Sequence, residues 1–376
     1  MEYSLFTVII MNKLALHLPI NSVSLGQVST LILKTLFERE KNGTSDIDLY
    51  LFAIANIDLS SQKIEEDFKA WLQSKLVKTL ENYTKDIPVF KLWHLNQSLE
   101  SYGYKQSLLS FYELDSPTKI ELNIAKNNNL ILSSEYACTV FKLFGVNCSY
   151  VPLAFDSYNF TKLNKQYHQD GRIVFNLCGK LEKRKHHAKV IQSWIKAFGN
   201  DRRYHLQCAI FNHFLSPEQN HEFIKQILGG DKPFNVNFFP NFKENYIYND
   251  FLNSGDIVLG VSGGEGWGLP EFQSVAIGKH AVILDAHAYK GWANSNNSVL
   301  INPSGKIDSV DNIFFRKGDM FNQGNIFDWN EEEFIFACRK AITRVEKDRV
   351  NKFGLELQTK FNKEDFVNRI IETSIR

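Results

Sequence analysis

A disulfide framework, a membrane-length apolar run and a dominant charge are all missing from this 376-residue chain, and each absence narrows what it can be. The five cysteines (Cys138, Cys148, Cys178, Cys208 and Cys338) form no Cys-x-x-Cys pair and are odd in number. They read as buried free thiols of a reducing compartment, not as a disulfide scaffold or a zinc site. The apolar run Leu5–Met11 is cut by Asn12 and Lys13, too short to span a bilayer, and no basic segment precedes it, so no signal peptide is expected. Lysine and arginine total 43 against 42 acids, a formal net charge of +1, so nothing global points to nucleic acid or a membrane surface. His186, His187, His280 and His287 share no metal-type spacing with a carboxylate, and no metal is expected. Repeats and low-complexity tracts are also lacking. These absences lead to the expectation of a soluble, cytoplasmic protein without a transmembrane segment.

What the chain does have is apolar bulk, 44% of residues with 30 Phe and 14 Tyr, enough to fill two cores. Extended and helical patterns alternate. Strands are predicted within Phe6–Leu18 and over Ile47–Ala55, Val89–Leu95, Leu108–Leu114, Leu130–Ser133 and Tyr150–Phe155, with helices over Gly26–Glu40, Lys63–Tyr83, Lys119–Lys126 and Glu135–Phe144. Asp156–Gly171 is polar and aperiodic, and reads as a linker. A second series follows, with strands at Ile173–Cys178, Tyr204–Phe211, Asn235–Phe239, Ile257–Val261, His280–Leu284 and Val299–Asn302. Asp308–Phe327 reads as an irregular excursion, and Glu331–Val345 and Lys363–Ile375 as terminal helices. Two such series predict an α/β protein of two doubly wound, Rossmann-like domains facing a cleft. The expected boundaries are residues 1–160 and 171–355, with 356–376 as a terminal helix packing back on the first domain.

The second series contains Asp-Ile-Val-Leu-Gly-Val-Ser-Gly-Gly-Glu-Gly-Trp-Gly-Leu-Pro-Glu-Phe-Gln over residues 256–273. A β-branched strand runs into glycines at 263, 264, 266 and 268, and Pro270 fits the first helical position. Glu265 is thereby placed at a strand's carboxyl end beside a helix N-terminus, where open α/β sheets bind ligands and where free amides suit a phosphate. An ordinary glycine-rich turn with an exposed acid is the competing reading.

The string Ser262–Gly278 resembles the donor-site signature of retaining GT-B glycosyltransferases, especially glycosyltransferase family 4. Glu265, Gly266, Gly268, Leu269, Pro270, Ala276 and Gly278 match that pattern, and Trp267 stands in for its aromatic residue. Gln273 stands where the family has a second glutamate, eight residues after the first. Gly179-Lys-Leu-Glu-Lys-Arg-Lys185 resembles the family's basic donor motif, with Lys180 in the arginine's place and Lys185 in the lysine's. A solvated basic loop is the alternative for that segment. Asn21–Gln27 resembles the first glycine loop, which carries the expectation to Gly26. Phe111–Asp115, Ile131–Glu135 and Val151–Asp156 resemble the family's run into its interdomain linker.

The resemblance implies a GT-B fold and sugar transfer from a nucleotide diphosphate, UDP or GDP, to an acceptor hydroxyl with retention. It implies no further cofactor and no metal. Lys180 and Lys185 would grip the diphosphate with Gly179 and the amides of Gly266–Leu269, Glu265 would accept from hydroxyls of the donor sugar, and Gln273 would face the ribose. His94 and Glu113 are expected near the sugar or acceptor, although a core or surface histidine is the competing reading of His94. For the acceptor, a glycan or small hydroxylated molecule stands first, hydroxymethylated bases of viral DNA second. A binding or scaffold protein that kept the fold without turnover is the rival of another class, and the oligomeric state stays open.

Overall fold

The computed structural model describes residues 11–375, so most of the apolar run at 5–11 and the start of the first predicted strand lie outside it. The first half contributes β1 (Asn12–Pro19), α1 (Ser24–Lys41), β2 (Ile47–Ile54), α2 (Glu66–Asn82), β3 (Val89–Leu92), β4 (Gln106–Ser110), α3 (Lys119–Lys126), β5 (Asn129–Leu132), α4 (Glu135–Leu143) and β6 (Cys148–Tyr150). The second contributes β7 (Ile173–Cys178), α5 (His187–Phe198), β8 (Tyr204–Ala209), α6 (Pro217–Leu228), β9 (Val236–Phe238), α7 (Asn245–Ser254), β10 (Ile257–Gly260), α8 (Leu269–Ala276), β11 (His280–Leu284) and β12 (Val299–Ile301). The chain ends with β13 (Gly305–Asp308), β14 (Asn325–Asp328), α9 (Glu331–Lys347), α10 (Lys352–Leu355), α11 (Leu357–Lys360) and α12 (Lys363–Ile375).

Two six-stranded parallel sheets result, in the orders β2-β1-β3-β4-β5-β6 and β12-β11-β10-β7-β8-β9. Their central strands are apolar on both faces because helices cover both sides, and every residue of β7 and β11 is buried. The strand order reverses beside β7 and β10, so loops leaving their carboxyl ends diverge around a crevice. Asp256 sets the entry to β10: its carboxylate accepts from Val174 N at 3.0 Å and pairs with Arg349 at 3.1 Å.

Beyond shifts at element ends, such as β4 closing at Ser110 where a strand to Leu114 was expected, three details differ from the sequence expectations. The sixth strand is Cys148–Tyr150, ahead of most of the predicted segment; Val151 N still donates to Leu132 O of β5 at 3.1 Å, and residues 152–156 are not in a strand. The linker is packed, not free: Phe160 is buried, and Thr161 N and Leu163 N donate to Asn249 and Asn253 of α7. The excursion before α9 is framed by an antiparallel pair, β13 with β14, which crosses to the first half. There Asp115 accepts from Lys306 Nζ and Asn325 N, each at 2.8 Å, and Thr118 Oγ1 donates to the Met320 carbonyl. Phe315 and Ile326 complete the apolar cluster of Leu108, Tyr112 and Leu114. The last helix, α12, lies on α1 and β1, tied by Arg39–Glu364 at 2.6 Å and Lys363–Glu38 at 2.7 Å.

Candidate active site

Loops from four strand ends meet between the sheets: 111–114 after β4, 133–134 after β5, 179–186 after β7 and 261–268 after β10. Backbone bonds stitch the last two together. Gly263 N donates to the Arg184 carbonyl at 2.8 Å, and Phe327 N donates to the Gly263 carbonyl at 2.8 Å. Histidines brace the same turn, His186 Nε2 against Phe327 O at 2.8 Å and His287 Nε2 against Ser262 O at 2.8 Å. Burial lowers the basicity of both imidazoles, that of His287 to about 4, so these rings act as neutral hydrogen-bonding props.

The turn's glycines are required by close packing. A β-carbon on Gly264 would lie 2.4 Å from the Glu113 carbonyl, and one on Gly266 would lie 2.6 Å from Phe111 Cβ. Ser133 Oγ closes the contact from β5, donating to the Gly266 carbonyl at 2.7 Å. At Gly268 the reason is conformational as well, because φ is +82° where α8 begins. The entire segment Ser262–Gly268 is buried, with Gly264 and Gly266 against the first half.

Within this enclosure three cations face three carboxylates. Lys185 Nζ lies 2.5 Å and Arg184 3.1 Å from Glu265 Oε1. Arg184 also meets Glu182 and, across the cleft, Glu113 at 3.2 Å. Burial alone would raise the Glu265 carboxyl, but the Lys185 ammonium and the Arg184 guanidinium outweigh it and hold it down, to about 2. Glu265 is thus a fixed anion, pre-oriented as a hydrogen-bond acceptor. Two residues into α8, Glu271 has no such partner at contact range among the described residues, and burial pushes its carboxyl up to about 7, with the Tyr289 hydroxyl beside it.

The other expected residues fall in several places. Gly179 has φ +111°, and a β-carbon there would lie 3.3 Å from Lys185 Cε. Lys180 turns to Glu182 at 3.0 Å instead of Glu265, with its ammonium 3.8 Å from the Phe314 ring centre. His94 is exposed, with its ring edge-on to Trp93 at 5.5 Å between centroids, and partial burial and the nearby Lys180 charge lower its basicity. Trp267 is 2% exposed and packs its indole on Phe272 and Phe361, so only its backbone reaches the turn. Gly26 sits so close to Asn21 that a β-carbon would meet the Asn21 carbonyl at 2.1 Å.

Gln273 and Leu269 line a small cavity of about 10 Å³ with Gln27, Asp156 and Phe366, beneath α1. Gln273 is 1% exposed, and neither atom of its amide head has a partner among the described residues. A larger hollow of about 420 Å³ lies at the opposite end of the second sheet, near Gly171 and Arg349, away from this chemistry. Arg184 and Glu182 were not singled out in the sequence, although both lie inside the basic loop. An arginine and an acid among lysines at a strand end were the available signal. Among the described residues there is no group of metal-ligating side chains and no helix long and apolar enough to cross a membrane.

No family model and no curated protein matches the chain. Among solved structures, sucrose-phosphate synthase from Thermosynechococcus elongatus aligns over 96% of this chain and 98% of its own, at 12% identity and TM-score 0.59. Anabaena Alr3699/HepE in complex with UDP-glucose aligns over 96% and 98%, at 12% identity and TM-score 0.61. A glycosyltransferase from Rickettsia africae aligns over 96% and 97%, at 10% identity and TM-score 0.64. The chain has the GT-B fold. In a GT-B protein the carboxyl ends of β7 and β10 face the cleft between the sheets, which is where the ion cluster lies.

Proposed function

We propose that the chain is a glycosyltransferase that moves a sugar from a nucleotide diphosphate to an acceptor hydroxyl, with retention. The observation that carries this reading is the Lys185–Glu265 pair, seated where the glycine turn and the basic loop leave neighbouring strands of a GT-B fold. A neighbour of the same fold was crystallised with UDP-glucose, which supports a UDP-sugar donor. In this reading Lys185 and Arg184 neutralise the departing diphosphate, the amides of Gly266–Leu269 hold its oxygens, and Lys180 adds charge at the mouth. Glu265, fixed as an anion, accepts from donor-sugar hydroxyls, and Gln273 faces the ribose with one donor and one acceptor. The departing phosphate oxygen takes the acceptor proton on the same face. Exclusion of water by the packed turn limits hydrolysis of the donor.

Because Gly264 and Gly266 are packed against Glu113 and Phe111, donor entry requires the halves to part. The first half would then present the acceptor, a glycan or small hydroxylated molecule. The near-zero net charge weighs against a DNA acceptor. Incubation with labelled UDP-, GDP- and ADP-sugars tests the reading. Slow donor hydrolysis that vanishes in Glu265→Ala is expected. Nucleotide binding without turnover for any donor or acceptor would support instead a binding protein, the reading that Gln273 favours.

A further inference from the structure

Arg184 is held by three carboxylates, and they are not held equally. Glu182 and Glu265 come from the same half as Arg184, have side chains only 2% and 7% exposed, and each has a second cation, Lys180 and Lys185 respectively. Glu113 comes from the other half, is 31% exposed, and has Arg184 as its only ion-pair partner among the described residues. It is the carboxylate of the cluster with the fewest cations and the most exposed side chain, and burial raises its carboxyl against the pull of the Arg184 guanidinium. Arg184 also retains a buried Nε without a partner among the described residues. Three cations against three carboxylates leave the enclosure with no net attraction for a further anion, and a diphosphate brings at least two negative charges.

The geometry points to Glu113 as an internal anion that occupies Arg184 in the closed molecule and that the donor's diphosphate must displace. This rests on the donor-site reading above and adds a competitor built into the acceptor-side half. When Glu113 leaves Arg184, the guanidinium gains a place for phosphate oxygens while Glu265 stays fixed by Lys185. Glu113 is a positioning residue here: it acts through Arg184, and it couples parting of the halves to donor arrival, because both displace the same contact. Removing its charge should strengthen diphosphate binding, the reverse of what loss of a ligand-contacting residue would do.

The test is calorimetric titration of the full chain with UDP, GDP, inorganic pyrophosphate and uridine, comparing wild type with Glu113→Gln and Glu113→Asp. Glu113→Gln is expected to bind pyrophosphate and the preferred nucleoside diphosphate about tenfold tighter, as removal of one like charge at short range implies. Glu113→Asp, with its carboxylate withdrawn by one methylene, is expected to fall between. Uridine affinity should not change, which a general loosening of the fold would alter. If wild type binds diphosphates and both variants bind them equally or more weakly, the inference is overturned while the donor site stands. If no form of the protein binds any diphosphate, the donor-site reading fails and this inference with it.

Discussion

Lys185 Nζ and Glu265 Oε1 lie 2.5 Å apart, although the first belongs to the loop after β7 and the second to the turn after β10. Both side chains are under one-tenth exposed, so the pair is a buried ion pair whose value lies in geometry more than in stability. It pins an acceptor at the bottom of the cleft and leaves a cation beside it.

Glu265→Gln should leave Lys185 and Arg184 with one buried counter-charge fewer, and should destabilise the protein by about 3 kcal/mol near neutral pH. The folded carboxyl titrates near 2, below its ordinary range, so its contribution is present above pH about 4.5 and is lost as pH falls toward 2. Urea midpoints measured against pH should therefore decline in wild type through that window and decline less in the variant.

Glu271 predicts the opposite slope. Its carboxyl is raised to about 7 by burial, so its contribution is full below pH about 4.5 and is lost as pH rises through 7. Glu271→Gln, which mimics the protonated acid, should match wild type near pH 5 and exceed it in stability at pH 8. A variant that is less stable at pH 8 would count against a carboxyl raised by burial.

Gln273→Met separates a ligand role from a packing role. The buried amide is unpartnered, so a near-isosteric apolar side chain should stabilise the fold by about 1 kcal/mol. The same change should weaken UDP or GDP binding, read by calorimetry, since both hydrogen-bonding atoms are lost. Loss of stability together with unchanged binding would make Gln273 structural.

Gly264→Ala should act on the contact between the halves. Its new β-carbon, 2.4 Å from the Glu113 carbonyl, forces the loops apart and should cost about 1–3 kcal/mol. Small-angle scattering should show a larger radius of gyration than in wild type, with secondary structure unchanged. An unaltered radius would mean that the strain is absorbed within the turn.

The alternation of strands and helices was readable because β7, β10 and β11 are mostly apolar, β7 broken only by Asn176, and because Ser216 and Gly229 punctuate α6. Glu265 and Lys185 were singled out through the resemblance to the family's donor motifs, and the structure brings their side chains together. What the spacing could not carry was who meets whom. The glycines at 264 and 266 suggest room for a ligand, yet that room is shared with Glu113 and Phe111, about 150 residues earlier in the chain. Arg184 differs from its lysine neighbours only through Glu182, Glu113 and Glu265, two of them distant in sequence. The excursion before β14 looked irregular because its anchor, Asp115, lies in the other half.

A structure of the protein with UDP or GDP bound tests the central claim most directly. The diphosphate is predicted to lie against Lys185, Arg184 and the amides of Gly266–Leu269, with the ribose toward Gln273. A nucleotide seated elsewhere, with Lys185 still closed on Glu265, would contradict it.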